Sequence, residues 1–342
     1  MASFSQFGND LYTGKRSIDF VGRRRIWFTI AAVMVVAAIV VPFLRGGFVF
    51  GIEFSGGSEF TVSDPAKGAD GTIDQSIASD AVTSVVPNAT PKISIVNSGS
   101  AVRVQTDLLE NSELDEIRDA LATGYDVNAD DVTTSFIGAT WGADITRQAL
   151  TALVVFILLA AIVMALYFRT WKMAVAALIA LFHDLIITAG VYGILGFEVT
   201  PAAVIGFLTI LGYSLYDTVV VFDKIRENTA AMGERSTRTF AETVNLAVNQ
   251  TLVRSINTSI VGLLPIASIL FIGTTLLGAG TLRDISLALF IGIIVGTYST
   301  IFIASPMYAH LRENEPKIKQ ADAKKQAAAA KRQREVDATA GV

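Results

Sequence analysis

The chain has 342 residues, of which 52% are hydrophobic and 17% are charged, and it contains no cysteine. Soluble domains carry about 25% charged residues, so this composition argues against a water-soluble globule. The formal net charge of −4 gives no general attraction for nucleic acid. Without cysteine there is no disulfide and no thiolate nucleophile, and two histidines argue against a histidine-rich metal site. We therefore expect neither a metal nor another cofactor.

Six stretches lack charge or nearly lack it, and each can supply the roughly 20 apolar residues with which a helix crosses a bilayer. The first stretch could instead be a cleaved signal peptide, because Arg23, Arg24 and Arg25 precede it. Its length exceeds an h-region of about 7–15 residues and no small-residue cleavage pattern follows, so we interpret it as an uncleaved span. The sequence predicts a polytopic α-helical membrane protein with spans at residues 26–44, 148–168, 173–195, 200–222, 255–277 and 285–305.

Lysine and arginine are distributed unevenly between these spans. Four segments hold 20 of the 27 such residues, namely 1–25, 169–172, 223–254 and 306–342. The positive-inside rule predicts that these segments, and therefore both termini, are cytoplasmic. Residues 223–254 mix apolar and charged side chains, which predicts an amphipathic cytoplasmic loop that forms a helix at the membrane surface. The tail at 306–342 is rich in Lys, Ala and Gln, which predicts a solvated extension that is partly helical and otherwise disordered.

Residues 45–147 are long enough to fold as a separate domain on the extracytoplasmic side. Alternating or β-branched runs predict four short strands, and apolar residues at helical spacing predict two helices. The strands are expected at 58–63, 92–97, 102–106 and 132–137, and the helices at 73–86 and 112–123. This order predicts an α+β ferredoxin-like domain between the first two spans.

Several motifs resemble the SecD/SecF family of bacterial protein-export membrane proteins. Gly51-Ile52-Glu53-Phe54-Ser55-Gly56-Gly57 resembles the family's G-I-D-F-x-G-G, with Glu53 in place of Asp. Residues 212–228 resemble the fourth-helix motif of SecF-type members, although Tyr216 replaces Asn and Lys224 replaces Arg. Residues 249–254 resemble the N-Q-T-L-x-R that opens the fifth helix, and the adjacent His183 and Asp184 also fit. Six spans with one modest outer domain match the SecF type.

The resemblance, over about residues 15–312, implies a subunit of the Sec export machinery in the bacterial cytoplasmic membrane. Such a subunit pairs with SecD, associates with the SecYEG channel and couples the proton gradient to late movement of a preprotein. SecA then acts only indirectly, and membrane lipid surrounds the helices. Two alternatives stay open, namely a proton-coupled small-molecule exporter subunit of the RND superfamily and a non-transporting scaffold for channel assembly. No enzyme motif is present.

Asp217 is the sharpest candidate for function. Its helical face also carries Gly206, Tyr213 and Ser214, and such a small and polar stripe belongs against other helices. A charge at the bilayer centre costs about 2.5–3.5 kcal/mol. Asp217 is therefore either a packing carboxylate with satisfied hydrogen bonds or a group that takes up and releases a proton.

Arg254 is the partner that the resemblance implies for Asp217. Position alone is equally typical of an arginine at the membrane border whose head group reaches water. Asn257 and Thr258 share its helical face and are candidate polar support. His183 and Asp184 either titrate or form a polar pair between helices, and the second interpretation is the more common one.

A seam of small residues runs along the sixth span. Gly292 and Gly296 lie in a repeat of small residues at every fourth position. This pattern is typical of close helix packing rather than of chemistry.

Overall fold

The computed structural model describes residues 4–68, 72–96, 100–168, 170–230, 237–273 and 280–340. In chain order its helices are α1 (Phe4–Thr13), α2 (Arg24–Leu44), α3 (Ile52–Ser55), α4 (Gln75–Val85), α5 (Asn111–Gly124), α6 (Ala139–Phe168), α7 (Trp171–Leu195), α8 (Pro201–Ala230), α9 (Phe240–Ser268), α10 (Gly280–Ser299), α11 (Ser305–Glu313) and α12 (Pro316–Ala340). Its strands are β1 (Val49–Phe50), β2 (Gly57–Ser63), β3 (Lys92–Val96), β4 (Ala101–Thr106), β5 (Val132–Ile137) and β6 (Glu198–Val199).

Six helices of the described chain are long and apolar enough to cross a membrane. They are α2, α6, α7, α8, α9 and the continuous helix formed by α10 and α11. A π-helical turn, Thr300–Ala304, joins α10 to α11, and another, Ile269–Gly273, extends α9. The six spans confirm the predicted class, a polytopic α-helical membrane protein.

Helix α8 lies at the centre of the bundle and packs against α7, α9 and α10. Small residues allow the closest approach. A Cβ on Gly206 would lie 2.6 Å from the Cβ of Ala288, and a Cβ on Gly292 would overlap the side chain of Ile210. The predicted seam of small residues on α10 therefore faces α8. Helix α6 lies at the periphery, with most of its apolar side chains exposed for contact with lipid.

The domain inserted between α2 and α6 is built on a four-stranded antiparallel sheet. Its strand order is β3-β4-β2-β5, and α4 and α5 contribute to a core that includes Phe60, Val104, Ile117 and Leu121. Side chains alternate along β2, so that Phe60 and Val62 are fully buried. The six elements lie within two residues of the predicted ones, and residue 97 lies outside the described residues.

The predicted loop at 223–254 is largely helical and continues the spans. Helix α8 extends to Ala230 and α9 begins at Phe240. The start of α9 is fixed by Thr239, whose hydroxyl accepts from the backbone N–H of Glu242 at 3.3 Å. Val244 and Val248 are fully buried beyond that cap, so the apolar face belongs to the protein core rather than to the membrane surface.

The tail at 306–342 is more extensively helical than predicted, over the described residues up to 340. Helices α11 and α12 occupy most of this segment. The backbone N–H of Phe240 donates to Oδ1 of Asp322 at 2.9 Å, and Ile318 packs against the bundle core. Ala, Lys and Gln have high helix propensity, so few anchoring contacts suffice to order the helix.

Candidate functional site

Asp217 lies inside the bundle, and its side chain is 6% exposed. The hydroxyl of Ser255 on α9 donates to its Oδ1 at 2.8 Å. Its Oδ2 is buried and has no hydrogen-bond partner within the part of the chain that the structure describes. A buried polar atom without a partner costs about 1–3 kcal/mol, and more when it is charged. Such an atom requires a functional or solvent-related explanation.

Arg254 does not contact Asp217 in this conformation. Among the described residues no ion pair within 4.0 Å joins the two, and the side chain of Arg254 is exposed. Neighbouring residues on a helix point about 100° apart. Because Ser255 faces α8, the Cβ of Arg254 lies about 100° around α9 from that contact.

His183 and Asp184 form a second buried group, on α7. The hydroxyl of Ser214 on α8 donates to Oδ2 of Asp184 at 2.5 Å, and Nδ1 of His183 lies 3.3 Å from Oδ1 of Asp184. Gly296 of α10 packs against the contact between Ser214 and Asp184, where a Cβ would lie 3.0 Å from the Cβ of Ser214. The ring of His183 faces that of Tyr298, with 6.1 Å between the centroids.

Two hydroxyl pairs join α10 and its following turn to the other helices. The hydroxyls of Thr218 and Thr300 are 2.9 Å apart, and those of Ser259 and Thr297 are 2.5 Å apart. Together with the two carboxylate groups, these pairs connect α8 to each of its three neighbours. We call this set the polar cluster, and its members are Asp184, Ser214, Asp217, Thr218, Ser255, Ser259, Thr297 and Thr300.

Sequence reasoning missed most of the hydroxyl partners. The signal was present, because Ser255 and Ser259 stand four residues apart and share one helical face. Of the predicted support residues, the hydroxyl of Tyr213 donates to the backbone carbonyl of Thr258 at 3.0 Å. Asn257 is exposed and lies outside the polar cluster.

The glycine-rich motif forms the joint between the inserted domain and the bundle. Gly57 has φ of +135°, and a Cβ there would overlap the carbonyl oxygen of Thr106. Gly56 has φ of +73°, which also favours glycine. The N–H of Gly51 donates to the carbonyl of Val199 at 3.0 Å, which extends the parallel pairing of β1 with β6. Phe54 packs in the apolar cluster beneath.

Glu198, on strand β6 between α7 and α8, bonds directly to the inserted domain. Arg103 Nη1 donates to its Oε2 at 3.0 Å, and Gln105 Nε2 donates to its Oε1 at 2.5 Å. Glu59 on β2 lies 3.4 Å from Nε of Arg103 and accepts from Gln105 at 3.0 Å. Burial raises the pKa of Glu53, and the charges of Glu198 and Glu59 raise it further. We call these five residues the junction cluster.

The junction cluster escaped sequence reasoning, apart from Glu53. Arg103 and Glu198 are 95 positions apart, and no local pattern connects a strand of one domain to a loop of another. In the described residues no group of three or more His, Cys, Asp or Glu side chains could hold a metal ion.

These features define a polytopic membrane protein with buried carboxylates at its central helix and one α+β domain inserted after the first span. Comparison with known proteins identifies the family of the chain. Residues 117–314 match the family described as "Protein export membrane protein SecD/SecF, C-terminal". The chain belongs to the SecD/SecF family, as its motifs predicted.

Curated relatives are named as subunits of a protein translocase. The chain is 42% identical over 323 residues to "Protein translocase subunit SecF" of Streptomyces coelicolor, covering 93% of this chain and 83% of that protein. It is 43% identical to the protein of the same name from Mycobacterium tuberculosis, covering 90% and 70%. It is 32% identical to "Protein translocase subunit SecDF" of Thermus thermophilus, covering 84% and 38%.

Solved structures show the same fold. The crystal structure of SecDF from Thermus thermophilus, titled a translocon-associated membrane protein, matches with a TM-score of 0.73 and 30% identity. The match covers 87% of this chain and 39% of that chain, so this chain spans about two fifths of the solved protein. SecDF in a super-membrane-facing form matches with a TM-score of 0.62 and 30% identity, covering 90% and 40%.

Proposed function

We propose that this chain is a SecF-type subunit of the Sec export machinery and couples the proton gradient to late steps of preprotein translocation. The relatives' names support the export role. The observation that carries the coupling is the environment of Asp217, which is buried, held by one hydroxyl at Oδ1 and without a partner at Oδ2 in the described chain.

Protonation of Asp217 would change which groups it can bind. The carboxylate only accepts hydrogen bonds, whereas the acid also donates one. Ser255 would then exchange its role as donor for that of acceptor, or separate from Asp217. A rotation of α9 by about 100° would bring Arg254 to the position that Ser255 now holds. We infer that such an exchange of hydroxyl for guanidinium links proton uptake to helix movement. The electrical gradient supplies about 2.3 kcal/mol per charge per 100 mV.

We propose the orientation that the positive-inside rule predicts. Both termini are then cytoplasmic, and residues 45–147 lie on the extracytoplasmic side of the inner membrane. The inserted domain is then the part that meets the emerging preprotein. Its β-α-β-β-α-β element order and β3-β4-β2-β5 sheet support a ferredoxin-like assignment. Single thiols test the orientation cleanly because the chain has no cysteine. In Ser112→Cys an impermeant reagent should label intact cells, whereas Lys15→Cys should require permeabilised ones, and the reverse pattern would overturn the orientation.

We infer that a SecD-type subunit completes the bundle. The matched Thermus thermophilus protein is named SecDF, and this chain covers only 38% of it. The remaining length leaves room for a second set of helices. Association with SecYEG, and an indirect relation to SecA, belong to the same proposal.

The test is gradient-dependent export by inverted vesicles that contain the channel, the SecD-type partner and one variant of the full chain. Asp217→Asn keeps the shape of the side chain and removes its titration, so export should fall to the level seen without a gradient. Asp223→Asn is the matched control, since Asp223 is an exposed carboxylate on the same helix. Arg254→Met should fail similarly, and Arg254→Lys should retain part of the activity.

Retention of full gradient dependence by Asp217→Asn would identify Asp217 as a packing residue. Co-purification of each variant with the SecD-type partner separates loss of coupling from loss of assembly. A chain that supports channel assembly and is indifferent to Asp217 would be the scaffold considered above.

A further inference from the structure

A basic cavity lies at the end of the bundle opposite the inserted domain. Its volume is about 480 Å³, and its walls come from the end of α8, the start of α9, Arg312 of α11 and the first turns of α12. Helix α8 begins beside the junction cluster and ends at this cavity 30 residues later, which is about 45 Å along the helix. The cavity and the inserted domain are therefore on opposite faces of the membrane-spanning region.

The lining of the cavity carries four cations and a single carboxylate. The cations are Arg226, Arg312, Lys317 and Lys325, and the carboxylate is that of Asp322. Oδ1 of Asp322 already accepts from the backbone N–H of Phe240 at 2.9 Å. The positive charge of the lining is therefore far from neutralised by the lining itself.

Three of the four cations lack a carboxylate partner, and one of these, Lys325, donates to the backbone carbonyl of Arg238 at 2.9 Å. Arg226 donates only to the backbone carbonyl of Tyr167, at 3.5 Å, and no ion pair within 4.0 Å includes Arg226 or Lys317 among the described residues. Arg312, in contrast, is fixed in place. Its Nη1 donates to the hydroxyl of Tyr308 at 2.8 Å, and its Nε and Nη2 donate to the two carboxylate oxygens of Glu315 at 3.2 and 3.1 Å. The charge of Arg312 is thus paired and its plane is fixed, so the unpaired charge of the lining comes from the other cations, which are suited to a phosphate group.

The first turn of helix α12 also favours a bound anion. It begins at Pro316, so Lys317 stands in its first turn. The N-terminal end of a helix carries the positive end of the macrodipole, and cations there are unfavourable. The carboxylate of Glu315 precedes this turn but already binds Arg312 and Lys172, so a further anion would offset the charge of Lys317.

The position of the cavity relative to the membrane indicates which kind of anion it binds. Arg226 donates to the backbone carbonyl of Tyr167, which is 49% exposed, and Trp171, the first residue of α7, is 66% exposed. Exposed Tyr and Trp at the ends of spans mark the head-group region of a bilayer. Basic pockets at this level between membrane helices bind lipid phosphates.

We propose that this cavity binds the phosphate head group of an anionic phospholipid and thereby attaches α12 to the end of α8. The lipid phosphate contacts Arg226 and Lys317, with Arg312 as the fixed third donor. The site is independent of the proton coupling proposed for Asp217, because it lies at the end of the bundle and shares none of the residues of the polar cluster.

The test is native mass spectrometry of the full chain in a neutral detergent, titrated with phosphatidylglycerol. The double variant Arg226→Gln/Lys317→Gln should weaken the tightest lipid-binding event about 25-fold, since each cation near a membrane surface contributes roughly fivefold. Lys324→Gln/Lys331→Gln is the matched control, because it removes the same charge from exposed positions outside the lining and should change affinity less than about twofold. The charge-conserving Arg226→Lys/Lys317→Arg should bind as the wild type does.

Equal affinity in the two double variants would overturn the proposal, as would equally tight binding of phosphatidylcholine. Inorganic phosphate that displaces the lipid at the lipid's own concentration would assign the site to a soluble phosphate instead. If the first double variant loses its helical circular dichroism, Arg226→Gln alone, at an exposed side chain, decides the matter by the same titration.

Discussion

The polar cluster inside the bundle and the junction cluster at its end hold carboxylates in different ways. In the polar cluster, serine hydroxyls donate to Asp217 and Asp184. In the junction cluster, the guanidinium of Arg103 lies against Glu198 and Glu59. Both sets connect separate elements, but only one of them does so through opposite charges.

The two kinds of contact differ in how they respond to a change of protonation. A hydroxyl both donates and accepts, so it can follow its partner through a change of protonation. A guanidinium beside three carboxylates has no such freedom, because its removal leaves like charges together. Under the proposed coupling, the hydroxyl contacts of the bundle are the ones that follow a change of protonation, and the junction cluster is the fixed link between the bundle and the inserted domain.

The largest expected effect comes from Gly292→Ala, which tests the packing on which the polar cluster depends. The added Cβ overlaps Ile210 of α8, and overpacking of a tight core costs about 3 kcal/mol at the upper end of its usual range. Thermal unfolding in detergent, followed by circular dichroism, measures the loss. Gly212→Ala is the control, since a Cβ there meets nothing within 4 Å and improves helix propensity. Equal melting temperatures for both variants would show that α8 and α10 are not in close contact.

Arg103→Met tests the junction cluster directly. It leaves Glu53, Glu59 and Glu198 without their shared cation, and we expect a loss of about 2 kcal/mol, between the values for exposed and buried ion pairs. Arg118→Met removes an arginine of the same domain whose partners, Asp115 and Asp119, are exposed, and should cost less than about 0.5 kcal/mol. Addition of Glu198→Gln to Arg103→Met should recover part of the loss. Additive losses in that double variant would contradict a charge-based link.

Thr218→Val tests whether the hydroxyls of Thr218 and Thr300 stabilise each other. It removes one side of the 2.9 Å contact with Thr300 and leaves the other hydroxyl buried, so a loss of about 1 kcal/mol is expected. Because replacement of both partners by apolar groups is close to neutral, Thr218→Val/Thr300→Val should be more stable than the single variant. Chemical denaturation in mixed micelles measures both, and a double variant worse than the single one would refute the pairing.

Glu53→Gln has the smallest expected effect and a distinct pH dependence. The pKa of Glu53 is raised above its ordinary value of 4.5, so its charge opposes folding at pH values above the raised pKa and not below 4.5. Thermal unfolding at neutral pH should therefore show the variant to be more stable than the wild type by less than about 1 kcal/mol, and below pH 4.5 the two should be equally stable. Glu116→Gln, at an exposed position of α5, should show no such difference. A constant difference at all pH values would exclude titration of Glu53 as its cause.

Hydropathy and motif spacing were sufficient to predict the six spans and the position of Asp217 on a helix-facing stripe. They could not select its partner, because Ser255 and Arg254 are adjacent and only the rotation of α9 decides which one faces α8. The junction cluster depends on a strand from one domain meeting a loop of another, which no local pattern encodes. The extent of helix in the tail could not be predicted for a related reason. Its composition resembles a disordered segment, and the contacts of Ile318 and Asp322 with distant helices order it.

The π-helical turn between α10 and α11 has a consequence for comparing this chain with others. The N–H of Ser305 donates to the carbonyl of Thr300, five residues earlier, so the helix contains one residue more than a regular α-helix would need for the same length. The surplus residue turns Tyr308 and Arg312 by about 100° relative to Thr297 and Thr300. A relative without the turn would align correctly only with a one-residue gap inside an apparently uninterrupted hydrophobic segment. An ungapped alignment would pair every side chain beyond that point with the wrong face of its counterpart.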